Sequence, residues 1–125
     1  MRLLLDTHAL LWWRADTARF SSATYEMISA GEIPVLVSHV SLWEIAIKSG
    51  LGKLSMPDNL LQRCQDDGFE LLPITLEHIE MVKSLPSLHR DPFDRMLIAQ
   101  AKTEDMFLLT RDADIRRYDV KVLSA

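Results

Sequence analysis

Apolar residues along this chain fall in short runs, separated by stretches in which they recur every three or four positions. Short runs bounded by turn residues read as buried strands, and the periodic stretches as amphipathic helices. Residues 2–5 (RLLL) read as a first strand and 7–15 as a short helix. "FSSATYEMISAGE" reads as a helix begun by Ser21 or Ser22 and stopped at Gly31. Residues 34–38 (PVLVS) form a second strand, and 41–50 (SLWEIAIKSG) a helix opened by Ser41. A loop at 50–57 leads to a helix at 57–68 and a strand at 69–74 (FELLPI). The helix at 75–85 opens at Thr75; its third helical position holds His78 rather than an acid, so no capping box is expected. Then follow a helix at 91–105 (DPFDRMLIAQAKTED), a strand at 106–110 (MFLLT), a helical turn at 112–118 and a last strand at 120–123.

Strands spaced by helices predict an α/β fold: a central parallel β-sheet flanked by helices, in one domain over residues 1–125. In such folds the working residues gather beyond the carboxyl ends of the strands. Asp6 stands at the end of the first strand, and Asp112 in a similar place after 106–110. If those two strands are neighbours, the two acids face each other.

Composition narrows the chemistry. A hydrophobic fraction of 48% over 125 residues supports a core without staples. The one cysteine, Cys64, excludes an intramolecular disulfide and favours a reducing compartment. With no second cysteine, and with His8, His39, His78 and His89 scattered along the chain, no zinc site is expected. Asp6, His8 and Arg14 interrupt the apolar start, which therefore does not read as a signal peptide. No run approaches the roughly 18–20 apolar residues of a membrane span. These features predict a soluble cytoplasmic protein with no membrane role. A net charge of −4 argues against a wholly basic surface for nucleic acid. It leaves room for a nucleic-acid enzyme whose acids are neutralised by metal ions.

Each acid has a structural reading beside a functional one. Asp6 suits the N-cap of the helix at 7–15. Glu44 borders an apolar arc; it could close a capping box with Ser41 or pair with Lys48 at i+4. Asp91-Pro92 is a good helix start, which gives Asp91 a sufficient structural job. Asp94, three residues on, falls between Ala101 and Ile98 on the helical wheel, inside the apolar face. A carboxylate there is costly unless paired or bound to a cation. Asp112 could cap a turn, Thr110 could add a hydroxyl to the same cluster, and Asp114 reads as a solvated helix-start residue. Four carboxylates converging on one crevice would repel each other. Hard divalent cations resolve that conflict, and such centres support in-line phosphoryl displacement. The chain has no Gly-rich phosphate loop, no G-x-S-x-G and no Cys–His pair for other common chemistries.

The set "LLLDTHALLWW", "SLWEIAIKSGLGKL", "HRDPFDRMLIAQA" and "LLTRD" resembles the PIN-domain ribonucleases, and more narrowly the VapC-type toxins of type II toxin–antitoxin pairs. The resemblance runs over essentially the whole chain. It implies a single PIN-like domain with a parallel sheet, and Mg²⁺- or Mn²⁺-dependent cleavage of single-stranded RNA by phosphodiester hydrolysis. It places the family's acids on Asp6, Glu44, Asp94 and Asp112. Asp6, Asp94 and Asp112 are the expected metal ligands, and Glu44 either completes that shell or orients water. It also implies a homodimer silenced by a cognate antitoxin protein. Lys48, Arg90, Arg95 and Arg111 are candidates to meet phosphate charge, and plain solvated surface is the alternative for each. Leu10, Leu11, Trp12, Trp13 and Trp43 read mostly as core, with some left to cover a contact between chains.

Three other readings compete. A haloacid-dehalogenase-like phosphatase needs a second Asp two residues after the first, where this chain has His8. A phosphoacceptor receiver domain wants an acidic pair after its first strand and a Lys after a late one; neither is evident. A non-catalytic PIN-like binding module would not need all four acids.

Overall fold

The strands β1 (Leu3–Leu5), β2 (Val35–Ser38), β3 (Glu70–Leu72), β4 (Phe107–Thr110) and β5 (Val122–Ser124) pair in the order β3-β2-β1-β4-β5. Every neighbouring pair is parallel. The helices are α1 (Thr7–Ala15), α2 (Ser22–Ser29), α3 (His39–Gly50), α4 (Leu60–Asp66), α5 (Leu76–Ser84) and α6 (Pro92–Glu104). Short 3₁₀ turns lie at Thr17–Arg19 and Ile115–Arg117. The structure, a computed structural model, describes residues 1–55 and 58–125. Met56 and Pro57, the end of the expected 50–57 loop and the start of the expected 57–68 helix, lie outside the described residues.

The near-continuous apolar strands follow from a sheet covered on both faces. Alternation along each strand divides them between two cores. Leu3, Leu5, Val35, Val37 and Leu109 pack on one side with Leu10 of α1, Ile28 of α2, Ile45 of α3 and Cys64 of α4. Leu4, Leu36 and Leu108 pack on the other with Leu97 and Ile98 of α6, and with Met81 and Val82 of α5. Full burial of one such side chain contributes about 1.5–3 kcal/mol.

The chain travels outward from β1 to β2 and β3, then crosses back to β4 and β5 on the far side of β1. That reversal leaves a crevice beyond the carboxyl ends of β1 and β4. The two strands are neighbours, with Leu5 opposite Leu109, so the condition set for Asp6 and Asp112 is met.

The capping of two helices differs from the sequence reading, and α4 begins at Leu60, later than the expected 57–68 helix. β2 runs straight into α3, which begins at His39 instead of after Ser41. The cap is Ser38, whose Oγ accepts a hydrogen bond from the Val40 N–H at 3.0 Å. Ser41 is therefore a buried helical residue, and the capping box considered for Ser41 and Glu44 does not form. At α5 the error has the opposite sign. His78 Nδ1 accepts from the Thr75 N–H at 3.0 Å, while the Thr75 hydroxyl oxygen accepts from the His78 N–H at 3.3 Å. An imidazole nitrogen thus does the work of a glutamate oxygen in a capping box. The other ring nitrogen then carries the proton and donates to Glu104 Oε2 at 3.1 Å.

Candidate metal-binding active site

Asp6 leaves the end of β1 with its N–H bonded to the Leu109 carbonyl at 3.1 Å, which ties it to β4. It is buried, and its Oδ1 accepts from the Ala9 N–H at 2.7 Å, so it is both a helix cap and a crevice residue. Burial pushes its carboxyl up; hydrogen bonding from the Thr110 hydroxyl and the Ala9 amide, and the charge of His8, oppose this, while Asp112 adds to it.

Glu44 reaches the same crevice from α3. The Thr7 hydroxyl donates to Glu44 Oε1 at 2.6 Å and lies 3.1 Å from the Ser41 hydroxyl. The Lys48 ammonium pairs with Oε2, as the i+4 spacing suggested. That hydrogen bond is the main reason the Lys48 ammonium is held above its ordinary range, against a smaller desolvation effect. Because Thr7 follows Asp6 directly, this contact brings Glu44 alongside the end of β1.

Asp94 sits in the first turn of α6 behind the Asp91–Pro92 start, where Asp91 Oδ1 accepts from the N–H groups of Phe93 (2.8 Å) and Asp94 (3.2 Å). Its side chain is only 15% exposed, in keeping with its place on the apolar face. Burial, then the charge of Asp91, push its carboxyl from 3.8 up to about 6; Asp112 and Glu44 add to this, and a hydrogen bond from His89 opposes it. Asp112 follows β4. Its Oδ1 accepts from the N–H groups of Asp114 (2.8 Å) and Ile115 (3.3 Å), and its own N–H donates to the Thr110 hydroxyl at 3.0 Å.

Asp6 is tied to β4, Thr7 joins Glu44 to the end of β1, and Asp94 and Asp112 both face one histidine, so the four predicted acids lie along one edge of the sheet; neither grouping of metal-ligand atoms described below takes in Asp6 or Glu44. The sequence reading passed over His89. Its Nε2 lies 2.9 Å from Asp94 Oδ2 and 3.9 Å from Asp112 Oδ2, and its Nδ1 lies 3.9 Å from Asp114 Oδ2. Burial pulls the imidazole down, but the hydrogen bond and charge of Asp94, with the charges of Asp112 and Asp114, raise it overall. The available signal was its position in "HRDPFD", two residues before one acid and five before another. Asp114 is exposed, as expected, yet stands closer to the cluster than its sequence position suggested.

Among the described residues, two groups bring their ligand atoms within 4.8 Å of one another: His89, Asp112 and Asp114, and His89, Asp91 and Asp94. The donors are carboxylate oxygens with one imidazole, a set suited to hard divalent ions such as Mg²⁺ or Mn²⁺. The raised carboxyls of Asp6 and Asp94 fit the same conclusion, since a cation relieves the crowding and desolvation that raise them.

The basic candidates fare unequally. Arg95 is committed to the loop ahead of α6, donating to the Pro86 carbonyl at 2.9 Å and the Tyr118 hydroxyl at 3.0 Å. Arg111 lies 5.0 Å over the Trp12 ring and donates to the Ala125 carbonyl at 3.1 Å. Lys48 is engaged with Glu44. Arg90 is exposed. No helix is long and apolar enough to cross a membrane among the described residues.

The sequence model of the PIN domain family matches residues 3–121. Ribonuclease VapC22 of Mycobacterium tuberculosis (strain ATCC 25618 / H37Rv) is 27% identical over 119 residues, covering 93% of this chain and 91% of that protein. The fold is similar to the crystal structure of VapBC2 from Rickettsia felis bound to a DNA fragment from its promoter, with a TM-score of 0.74, 14% identity, and coverage of 99% of this chain and 98% of that one. It is also similar to DNA-bound VapBC from Salmonella typhimurium, with a TM-score of 0.73, 14% identity and the same coverage of 99% and 98%.

Proposed function

The chain belongs to the PIN domain family, and on that premise we propose that it is a metal-dependent endoribonuclease, the toxin of a type II toxin–antitoxin pair. What supports this reading is the line of carboxylates at one edge of the sheet: Asp6 tied to β4, Glu44 held by Thr7, and Asp94 and Asp112 both facing His89. The ribonuclease name of a relative and the VapBC names of structural neighbours support it.

Asp6, Asp94 and Asp112 would hold Mg²⁺ or Mn²⁺, with His89 displaced or retained at the edge. A divalent ion bound there supplies a Lewis acid for phosphoryl oxygen and makes water a stronger nucleophile near neutral pH. The chain's own part is orientation. The Ala9 amide fixes Asp6, and the Ile115 and Asp114 amides fix Asp112. The Thr7 hydroxyl and the Lys48 ammonium hold Glu44 beside the end of β1, where it would complete the ion's shell or accept a hydrogen bond from water. Hydrolysis by this route leaves a 5′-phosphate and a 3′-hydroxyl. The partners are RNA, a cognate antitoxin protein and a second copy of the chain, and the setting is the cytoplasm.

The test is cleavage of single-stranded RNA with Mg²⁺ or Mn²⁺, repeated with EDTA and with Asp6→Asn. Cutting should require both the ion and the aspartate. Equal cleavage in all three reactions would remove the metal-nuclease reading.

A further inference from the structure

Beside the acids lies an apolar cavity of about 370 Å³. Its walls include Trp43 and Phe93, the residues immediately before Glu44 and Asp94, together with Ile74, Pro92, Met96 and Arg90. Trp43 is 57% exposed, the most open of the three tryptophans. Its ring meets that of Phe93 edge-to-face, with centroids 5.3 Å apart and planes at 78°. That contact fixes the orientation of the indole while leaving much of its surface to solvent. The exposed guanidinium of Arg90 also lines the cavity.

We propose that this cavity receives one unstacked base of single-stranded RNA, adjacent to the phosphate that is cut. Trp43 is the stacking platform and Arg90 the contact to the neighbouring backbone. The inference rests on the reading of the acid cluster as an RNA-cleaving centre, and it names how that centre grips its substrate. Three observations favour a base over a protein segment. First, four residues of its wall, Trp43, Arg90, Pro92 and Phe93, are sequence neighbours of Glu44, Asp91 and Asp94, which keeps the cavity close to the acids. Second, an aromatic face beside an exposed guanidinium matches how single strands are held, by stacking on one group and charge on another. Third, about 370 Å³ gives room for one small planar group.

The experiment measures binding separately from cleavage. Short fluorescein-labelled RNA of random sequence is titrated by anisotropy with protein carrying Asp6→Asn, so that the probe survives. Adding Trp43→Ala should weaken binding about 10-fold or more, and Trp43→Phe should restore it to within about threefold. On a probe of the same length with abasic sugars, Trp43→Ala should cost nothing further. In otherwise wild-type protein, Trp43→Ala should keep the full Mn²⁺-induced rise in melting temperature, which shows that the fold and the acids are intact. Unchanged RNA affinity in Trp43→Ala overturns the proposal and leaves the cavity to a protein partner. An equal loss on the abasic probe overturns it too, because stacking would not be the cause. If wild-type protein binds RNA through Trp43 but never cuts it in Mn²⁺, the nuclease reading fails while the base site stands.

Discussion

Asp94→Asn should make the metal-free protein more stable while destroying its response to metal. The folded chain holds the Asp94 proton more tightly than the unfolded chain, because burial and the Asp91 charge push the carboxyl from 3.8 up to about 6. Stability of the metal-free protein therefore falls as pH rises from about 4 to about 6, and this contribution is level above that window. At about 1.4 kcal/mol per pH unit, the full effect is about 3 kcal/mol. Asparagine removes the charge, keeps the size, and can still accept the hydrogen bond that His89 donates at 2.9 Å. In EDTA at pH 8 the variant should gain about 1–3 kcal/mol, a rise of roughly 4–10 °C in melting temperature. At pH 4 the gain should vanish, since wild-type Asp94 is then protonated as well. Mn²⁺ should reverse the order. At one hundred times its Kd it would stabilise wild type by about 2.7 kcal/mol, and the variant much less. Thermal melts across that pH range, with EDTA and with Mn²⁺, read both effects. A variant no more stable than wild type at pH 8 in EDTA would refute the claim that crowded, desolvated acids strain this crevice.

Mn²⁺ affinity of the wild type, followed by calorimetry, should fall about tenfold between pH 7 and pH 5, because protons compete for Asp94 below about pH 6. Lys48→Met should lower stability by about 1–2 kcal/mol in EDTA at pH 8, because it leaves the buried Glu44 carboxylate with the Thr7 hydroxyl alone; added Mn²⁺ should recover part of the loss. His78→Ala should cost about 2–3 kcal/mol by urea unfolding, through loss of the α5 capping box and the bond to Glu104. Ile28→Ala, at a buried position of α2, a helix that carries none of the four acids, should cost about 3 kcal/mol with RNA cleavage per folded molecule unchanged.

The sheet was legible because each strand is a short apolar run that both layers of helices cover, and such runs contrast sharply with the periodic stretches between them. Asp6 and Asp112 were legible for a topological reason: parallel strands present their carboxyl ends on one edge. Asp94 stood out because a carboxylate on an apolar helical face needs an explanation. The errors lie where local rules compete. Ser38 and Ser41 are both good caps, and only pairing of β2 with its neighbours decides that the strand ends at Ser38. His78 is not the residue type usually sought at a capping position, yet its ring nitrogen meets the same requirement. His89 escaped notice because a histidine among acids declares itself only when the loop before α6 is folded onto the end of β4.

Because β2 passes into α3 without an intervening loop, the distance from Leu36 to Glu44 behaves as a fixed ruler. One residue inserted between Ser38 and Glu44 would swing Glu44 by about 100° around the helix, away from Thr7. The exposed 30–32 turn ahead of β2 has no such constraint. Over generations, length changes in this lineage should therefore accumulate before the strand and be purged after it.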